Sequence, residues 1–175
     1  VRDGRVSPVE LPSDSYFANV KELFDKIEGI DTLMEDPEIT SVRLVTNPEK
    51  MVLRETQRAF VYFSLHGLTV DEVIVNRILP AEVEDQYFAE WRQSQARFLV
   101  EAEAYFAPVP FSRVPLFPHE VLGLDRIRDF SRVLYGTDKD PALVTRRERP
   151  YTFTKSGENY EVQLRVPFTE KKEVG

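Results

Sequence analysis

Short apolar runs alternate with longer amphipathic stretches along most of the chain. The runs over 41–46, 72–76 and 111–117 predict strands, and 72–76 is the near-continuous apolar type that is buried on both faces of a parallel sheet. Apolar positions at helical spacing follow each run. They are Val52, Thr56, Phe60 and Phe63, then Val83, Tyr87, Trp91, Phe98, Ala102 and Tyr105, then Leu124, Ile127 and Leu134. This β-α-β-α-β-α order predicts an α/β fold with a mostly parallel sheet and right-handed crossovers.

Cap-forming residues predict where two of these helices begin. Asn47 is a good N-cap, Pro48 suits the first helical position, and Glu49 complements the positive end of a helix dipole. Pro118 and Glu120 predict the start of the helix that follows the third strand. We therefore expect both helices to begin directly after the carboxyl end of a strand.

The two ends of the chain differ from its middle. A helix is predicted from Ser13 or Asp14 to Gly29, with an apolar face formed by Phe17, Val20, Phe24 and Ile27. Near the other end, residues 151–154 and 160–166 alternate at period two around a turn, which predicts a β-hairpin. These patterns predict a main domain over 1–135, a polar, arginine-rich linker over 136–149 and a truncated β unit over 150–175.

Composition narrows the functional classes. Apolar residues make up 42% of the 175 residues and charged residues 30%, a balance that suits a folded domain. The net charge of -7 disfavours a nucleic-acid partner and gives no attraction to anionic lipid. The chain has no cysteine and no run of about 20 apolar residues, so we expect a cytoplasmic protein that is not transmembrane. Because the sequence starts at Val1 and not at Met, we expect a fragment or a processed product.

The predicted strand ends are the places where a ligand is expected, because ligands of open parallel sheets bind outside the carboxyl ends of the strands. These ends are 46–49, Asn76-Arg77 and 115–118. An asparagine amide can pair with the edge of adenine, and the proline-stiffened apolar loop Pro115, Leu116, Phe117 and Pro118 can enclose a flat base. A purely structural interpretation stays open, in which Asn47 caps a helix, Asn76 forms a turn and the prolines stiffen loops.

Other chemistry finds little support in the sequence. None of the glycines belongs to a G-x-x-x-x-G-K-[ST] or a G-x-G-x-x-G motif, so we expect no efficient phosphoryl transfer by this chain alone. Ser64, His66 and Asp71 lack a nucleophile elbow, and two histidines without cysteine do not predict a zinc site. The arginines of the linker, Arg146, Arg147 and Arg149, are expected to be solvated.

Four motifs in order resemble the ArsA family, which includes arsenite-pump ATPases and the ATPases that target tail-anchored membrane proteins. The motifs are Asp36-Pro37-x-x-Thr40-Ser41-Val42-Arg43-Leu44-Val45-Thr46, Pro48-Glu49-Lys50-Met51 with Glu55-Thr56-x-x-Ala59, Val75-Asn76-Arg77-Ile78-Leu79-Pro80, and Val114-Pro115-Leu116-x-x-x-Glu120-Val121-x-Gly123-Leu124. The resemblance extends from about Asp36 to Tyr135. The tail, Tyr160-x-Val162-x-Leu164-x-Val166-Pro167-Phe168, is similar to the small-heat-shock-protein-like β domain of many bacterial members.

The resemblance implies the C-terminal half of a three-layer, deviant P-loop ATPase that acts as a nucleotide-gated homodimer. It implies that Asn76, next to Arg77, contacts the adenine of ATP and that the loop from Pro115 to Pro118 wraps the base. Glu49 and Glu55 match family glutamates near the dimer and nucleotide interface. The phosphate loop, both switch regions and the Mg²⁺ site are then expected before Val1.

The sequence also departs from the family pattern. The targeting branch carries a zinc-binding C-x-x-C, whereas the comparable stretch around Asp85 to Phe88 has no cysteine, and cysteine-based arsenite binding is equally unsupported. A membrane-protein or transporter partner remains an expectation from the resemblance. An alternative from another class is a non-catalytic module whose helices and β tail dock a protein partner.

Overall fold

The structure, a computed structural model, describes residues 13–157 and 159–164. The chain divides into two compact units, Val1–Leu33 and Met34–Gly175, which are described separately. The helices are α1 (Asp14–Ile27), α2 (Ile30–Glu35), α3 (Lys50–Leu65), α4 (Ala89–Phe106) and α5 (Leu124–Tyr135). The strands are β1 (Val42–Thr46), β2 (Val70–Ile78), β3 (Phe111–Pro115), β4 (Tyr151–Ser156) and β5 (Asn159–Leu164).

A three-stranded parallel sheet organises the second unit. The strand order is β1-β2-β3, and both neighbouring pairs run parallel. The central strand is buried from Val70 through Val75, as expected for a strand that is covered on both faces. The predicted alternation of strands and helices and the parallel sheet are confirmed, which makes this unit an α/β fold.

The main core lies between the sheet and helices α3 and α4. Phe60 of α3 and Phe106 of α4 meet edge to face with ring centroids 5.5 Å apart, and Val73 of β2 is fully buried beside them. The buried face of α3 consists of Leu53, Thr56, Gln57 and Phe60. The predicted stripe is therefore only half correct, since Val52 and Phe63 are partly buried at the margin of this face.

Both predicted helix starts are too early, at Pro48 against the observed Lys50 and at Pro118 against the observed Leu124. Helix α3 begins at Lys50, and Glu49 is the cap residue, because a tight turn from Asn47 O to Glu49 N, 2.8 Å apart, precedes the helix. Helix α5 begins after Gly123, whose φ of 81° is left-handed and cannot continue a helix from Pro118. Residues 118–121 therefore form a loop and not a helical turn.

The start of α4 and the end of β3 also differ from the prediction. Asp85 accepts a hydrogen bond from Tyr87 N at 2.7 Å and caps a short 3₁₀ turn, so the α-helix begins only at Ala89. Val83 and Tyr87 consequently lie before the helix and not on its apolar face. Strand β3 ends at Pro115, before the predicted end at Phe117, although Leu116 N still donates to Ile78 O of β2.

Helix α1 belongs to the first unit and matches its predicted bounds. Ser13 caps it by accepting from Tyr16 N at 3.4 Å, and Gly29, with a φ of 85°, follows its end. No residue of α1 is buried. Its predicted apolar face is therefore present but exposed, with Phe24 62% accessible.

The segment after α5 lies against the amino-terminal ends of β1 and β2. The Arg43 guanidinium donates to Pro141 O at 2.6 Å and to Leu143 O at 2.7 Å. Asp71, fully buried, accepts from Thr145 N at 3.2 Å and from Arg43 Nη2 at 3.4 Å. Burial lowers the pKa of Arg43, but the hydrogen bonds and charge interactions with Asp71 and Tyr135 together outweigh burial and raise this pKa above its ordinary value.

The arginines of this segment are not equally solvated. Arg146, whose side chain is only 15% accessible, pairs with Glu148 at 3.3 Å, so its predicted full solvation is wrong. Arg147, which is exposed, pairs with Glu38 at 2.9 Å. The Arg147–Glu38 pair thus adds to the hydrogen bonds with Arg43 and Asp71 that connect the segment 136–149 to the rest of this unit.

Strands β4 and β5 form the predicted antiparallel hairpin. Tyr151 pairs with Leu164 at its open end and Ser156 with Asn159 at its turn, where Gly157 adopts a φ of 64°. Residues 165–175, which complete the predicted β unit, lie outside the described residues. Among the helices that the structure describes, none is long and apolar enough to cross a membrane.

Candidate functional site

A cleft of about 430 Å³ opens at the carboxyl ends of β2 and β3. It lies where a parallel sheet is expected to present a ligand site. Its walls are Asn76, Arg77, Pro115, Leu116, Phe117, His119, Glu120, Val121 and Phe130. The structure therefore brings together Asn76, Arg77 and most of the predicted loop, whereas Pro118 is exposed outside the lining.

A bulge near the end of β2, called the turn below, interrupts the pairing with β3 between Val75 and Ile78 and shapes the β2 side of the cleft. Arg77 has a φ of 59°, a conformation that is uncommon for a residue with a side chain. Asn76 stabilises this turn because its Oδ1 accepts a hydrogen bond from Arg77 N at 2.9 Å. Since only the oxygen of the amide can accept from an N–H group, this bond also fixes which end of the amide is Oδ1.

Main-chain and side-chain hydrogen bonds tie the turn to its surroundings. Leu116 N donates to Ile78 O at 2.7 Å, which joins the loop after β3 to the end of β2. Leu79 N donates to the side-chain Oε1 of Gln95, a buried residue of α4, at 2.9 Å. The two sides of the cleft are thus linked to each other and to a helix of the main core.

Aromatic side chains form the apolar wall of the cleft. Phe117 lies 5.9 Å from Phe130 of α5 and stacks on the His119 ring at 6.4 Å, measured between ring centroids. Phe117 and Phe130 also pack against a small core cluster formed by Ile74, Val114 and Leu134. A flat apolar group can therefore contact a wall that the core holds in place.

The polar groups of the cleft carry charges of both signs. Arg77 is exposed on the β2 side, whereas Glu120 is exposed on the β3 side. His119 contacts Arg126 of α5 through its Nε2. Within the described residues, no group of three or more histidine or acidic side chains is placed to hold a metal ion.

The two glutamates that were predicted for an interface lie elsewhere. Glu49 occupies the N-cap position of α3 without a side-chain capping bond, and it lines a separate groove of about 470 Å³ together with Met51, Trp91 and Phe98. Glu55 is exposed on α3 and pairs with Arg58 at 2.8 Å. Neither glutamate reaches the cleft next to Asn76, and their role at an interface stays a prediction.

Several residues of the cleft were missed by the sequence interpretation. His119, Glu120 and Val121 were placed in a predicted helix, whereas they line the cleft as part of a loop. Phe130 was not singled out among the α5 positions. Gln95, which supports the cleft from α4, could have been identified from the sequence, because it is a polar residue on the apolar face that includes Phe98 and Ala102.

Comparison with known proteins identifies the family. The model of the ArsA family, described as anion-transporting ATPases, matches residues 5–136, so the chain belongs to this family. The putative arsenical pump-driving ATPase 1 of Aquifex aeolicus is 39% identical over 98% of the chain and 44% of its own length. The putative arsenical pump-driving ATPase of Chlorobaculum tepidum is 35% identical over 90% of the chain and 39% of its length.

More distant relatives include proteins named ATPase GET3. The ATPase GET3 of Komagataella phaffii is 24% identical over 75% of the chain and 40% of its own length. The chain therefore spans less than half of the length of these relatives. The resemblance on which the sequence interpretation rested is confirmed at the level of the family.

Proposed function

We propose that the cleft next to Asn76 binds the base of ATP and that the chain is the base-recognising portion of an ArsA-type ATPase. The observation that carries this proposal is the convergence of Asn76, Arg77 and the loop 115–117 on one cleft of about 430 Å³. Ligand pockets typically enclose about 300–1,000 Å³ and combine apolar walls with a few polar groups. A purine ring fits this description in size and chemistry.

The orientation of the Asn76 amide defines the recognition that we propose. Its Oδ1 already accepts from Arg77 N, so its Nδ2 group is the part that is free to donate to N7 on the adenine edge. The second lone pair of Oδ1 can accept from the exocyclic amine. Phe117 and Leu116 supply apolar contact with the ring, and the Arg77 cation attracts the negatively charged nucleotide.

The rest of the activity is assigned to parts of the protein outside this chain. We propose that an upstream segment supplies the phosphate-binding loop, the Mg²⁺ site and the hydrolytic groups, because this chain contains no G-x-x-x-x-G-K-[ST] motif. ATP then closes a homodimer and hydrolysis reopens it, with Glu49 and Glu55 at the interface. We place the protein in the cytoplasm, where a membrane protein or transporter is its partner.

The domain organisation follows the same proposal. Residues 1–135 form the C-terminal half of the ATPase domain, and 136–149 connect it to a β unit over 150–175. The hairpin β4–β5 supports a small-heat-shock-protein-like unit, because that domain is built from antiparallel strands.

A second candidate function is protein docking without catalysis. The observation in its favour is the exposed apolar face of α1, on which Phe17, Phe24 and Ile27 are each at least 46% accessible. This function does not require a nucleotide, so nucleotide binding separates the two candidates.

Calorimetric titration of ATP tests the proposed function directly. The titration is carried out on the 175-residue chain and on a version that is extended upstream through a phosphate-binding loop. We expect saturable binding to the extended version and much weaker binding to the chain alone, because the phosphate contacts are missing from it. Absence of binding to both would reject the ATPase proposal and favour the docking module.

A further inference from the structure

We infer that Gln95 is a positioning residue of the proposed base site: the side-chain oxygen of Gln95 on α4 holds the turn that carries Asn76. This inference rests on the proposed function and adds a residue outside the cleft lining to it. Gln95 does not line the cleft, so we infer that it acts on the base through the turn.

Gln95 is a polar residue in the core of the unit. The residue is 8% accessible and lies on the face of α4 that packs into the main core through Ala102 and Phe106. An amide side chain is costly at such a position unless it is hydrogen-bonded. Its Oε1 accepts a hydrogen bond from Leu79 N at 2.9 Å. This N–H group lies just after β2 and takes part in no helix or strand ladder. Gln95 therefore supplies an acceptor that the backbone does not provide.

The shape of the turn is the second argument. Directly after Asn76, Arg77 adopts the left-handed conformation, which a residue with a side chain occupies only when its surroundings hold it there. Asn76 Oδ1 holds the turn from one side, and Gln95 holds it two residues further along through Leu79. Loss of the Leu79 bond removes the contact that ties the far side of the turn to α4, which allows the turn to relax toward ordinary backbone angles.

A main-chain hydrogen bond links the turn to the loop on the other side of the cleft. Ile78, the residue between Arg77 and Leu79, accepts from Leu116 N at 2.7 Å. Movement of the turn therefore also moves the loop that carries Phe117. Recognition by a single amide depends on placement to a fraction of an ångström, so a contact outside the cleft controls both halves of the base site.

Three substitutions test this role. Gln95→Leu removes the acceptor at nearly constant volume, and Gln95→Glu keeps an acceptor oxygen at the same reach. Gln93→Leu, on the exposed side of the same helix, is the matched control. Two properties are measured: amide hydrogen exchange of Leu79 and Arg77 by NMR on the 175-residue chain, and the ATP and GTP affinities of the version extended upstream.

The expected result is a selective loss in Gln95→Leu. Exchange at Leu79 should accelerate by about tenfold or more, and ATP affinity should fall by about tenfold, the usual consequence of losing one buried hydrogen bond. The preference for ATP over GTP should shrink as well, whereas a residue that only stabilises the core leaves this preference unchanged. Gln95→Glu should recover most of both properties, and Gln93→Leu should match the unaltered protein.

The outcomes separate this inference from the proposed function. If the unaltered extended protein binds ATP with a preference over GTP, and folded Gln95→Leu keeps that affinity and preference, the positioning role is rejected while the base site stands. If the unaltered protein shows no preference, the proposed base site itself is rejected. If Gln95→Leu does not fold, Gln95→Asn, which withdraws the oxygen by one methylene, is measured in the same way and decides by the same criteria.

Discussion

The two ends of the parallel sheet are built in opposite ways. At the amino-terminal end, the buried Asp71 bonds to Arg43 and Thr145, and Arg43 also bonds to the segment that follows α5. At the carboxyl end, Asn76 and the loop after β3 surround an open cleft of about 430 Å³. At the amino-terminal end, Arg43 and Asp71 bond to groups of the chain itself, although Asp71 Oδ1 and Thr69 Oγ1 have no hydrogen-bond partner within the part of the chain that the structure describes. The carboxyl end leaves polar groups available next to apolar walls.

The two ends therefore contribute to different properties, the amino-terminal end to stability and the carboxyl end to ligand binding. Charges that are buried and paired contribute to folding only while their partners stay in place. The guanidinium of Arg43 donates to main-chain oxygens at two positions, whereas the guanidinium of Arg77 has no hydrogen-bond acceptor among the described residues. We therefore expect substitutions at the amino-terminal end to change stability and substitutions at the carboxyl end to change nucleotide affinity.

Arg43→Met should have the largest effect, because it breaks the network at the amino-terminal end. The change leaves the fully buried Asp71 without its counter-ion, which we expect to lower the free energy of unfolding by about 3 kcal/mol. Urea denaturation followed by circular dichroism measures this loss. Arg58→Met is the control, because its pair with Glu55 is exposed and should contribute less than about 1 kcal/mol. Equal losses in both variants would contradict the proposed contrast.

Asn76→Ala should have the next largest effect, which we expect on ATP affinity and not on stability. In the version extended upstream we expect ATP binding to weaken by about 1–3 kcal/mol, because a hydrogen-bonding amide is lost. Asn76→Asp keeps the acceptor for Arg77 N and removes the Nδ2 donor, so it separates recognition of the base from support of the turn. Asn47→Ala, at the end of the neighbouring strand but outside the cleft, should leave affinity unchanged. Unchanged affinity in a folded Asn76→Ala protein would remove Asn76 from the site.

Thr145→Val should have a smaller effect, on stability alone. The Thr145 hydroxyl donates to Asp71 O, so we expect a loss of about 1 kcal/mol in the free energy of unfolding. ATP affinity should stay the same, since this bond lies at the opposite end of β2 from the cleft. Thr137→Val, which removes an exposed hydroxyl, is the control for both measurements. A change in affinity without a change in stability would show that the two ends are coupled.

Leu116→Ala should have the smallest effect. Leu116 is 38% accessible and lines the cleft, so its truncation should weaken ATP binding by about 1 kcal/mol through lost apolar contact and barely change stability. Leu122→Ala removes a 70% accessible leucine nearby in sequence but outside the cleft, and should leave affinity unaltered. Titration calorimetry of both variants checks the difference, and equal affinities would contradict a base-contacting role for Leu116.

Much of the fold was predictable because hydrophobic periodicity is a local signal. The near-continuous run over 72–76 correctly predicted the buried central strand, and the alternation of strands and helices correctly predicted a parallel sheet. The helix starts were not predictable at the same level, because they depend on turn geometry. The tight turn at Asn47 and the left-handed Gly123 both delay helices beyond the residues that favour helix initiation.

The residues that line the candidate site were largely predictable, whereas the contacts that hold them in place were not. Strand-end residues converge in any parallel sheet, so Asn76 and the loop after β3 could be placed together from topology and family resemblance. The contact between Leu79 and Gln95 joins residues 16 positions apart across a helix that does not begin where its pattern suggests. The same limit applies to Arg43 and Thr145, since a polar segment has the same local pattern whether it is solvated or held against a sheet.

Photoaffinity labelling with 8-azido-ATP tests the central claim most directly, because it locates the base on the protein. The extended protein is labelled, digested and mapped by mass spectrometry, with excess ATP as competitor. We predict ATP-protected labelling at Asn76 or Arg77 or within 115–121, where most of the cleft-lining residues lie. Protected labelling confined to the groove of Met51 and Trp91, or labelling that ATP does not suppress, would contradict it.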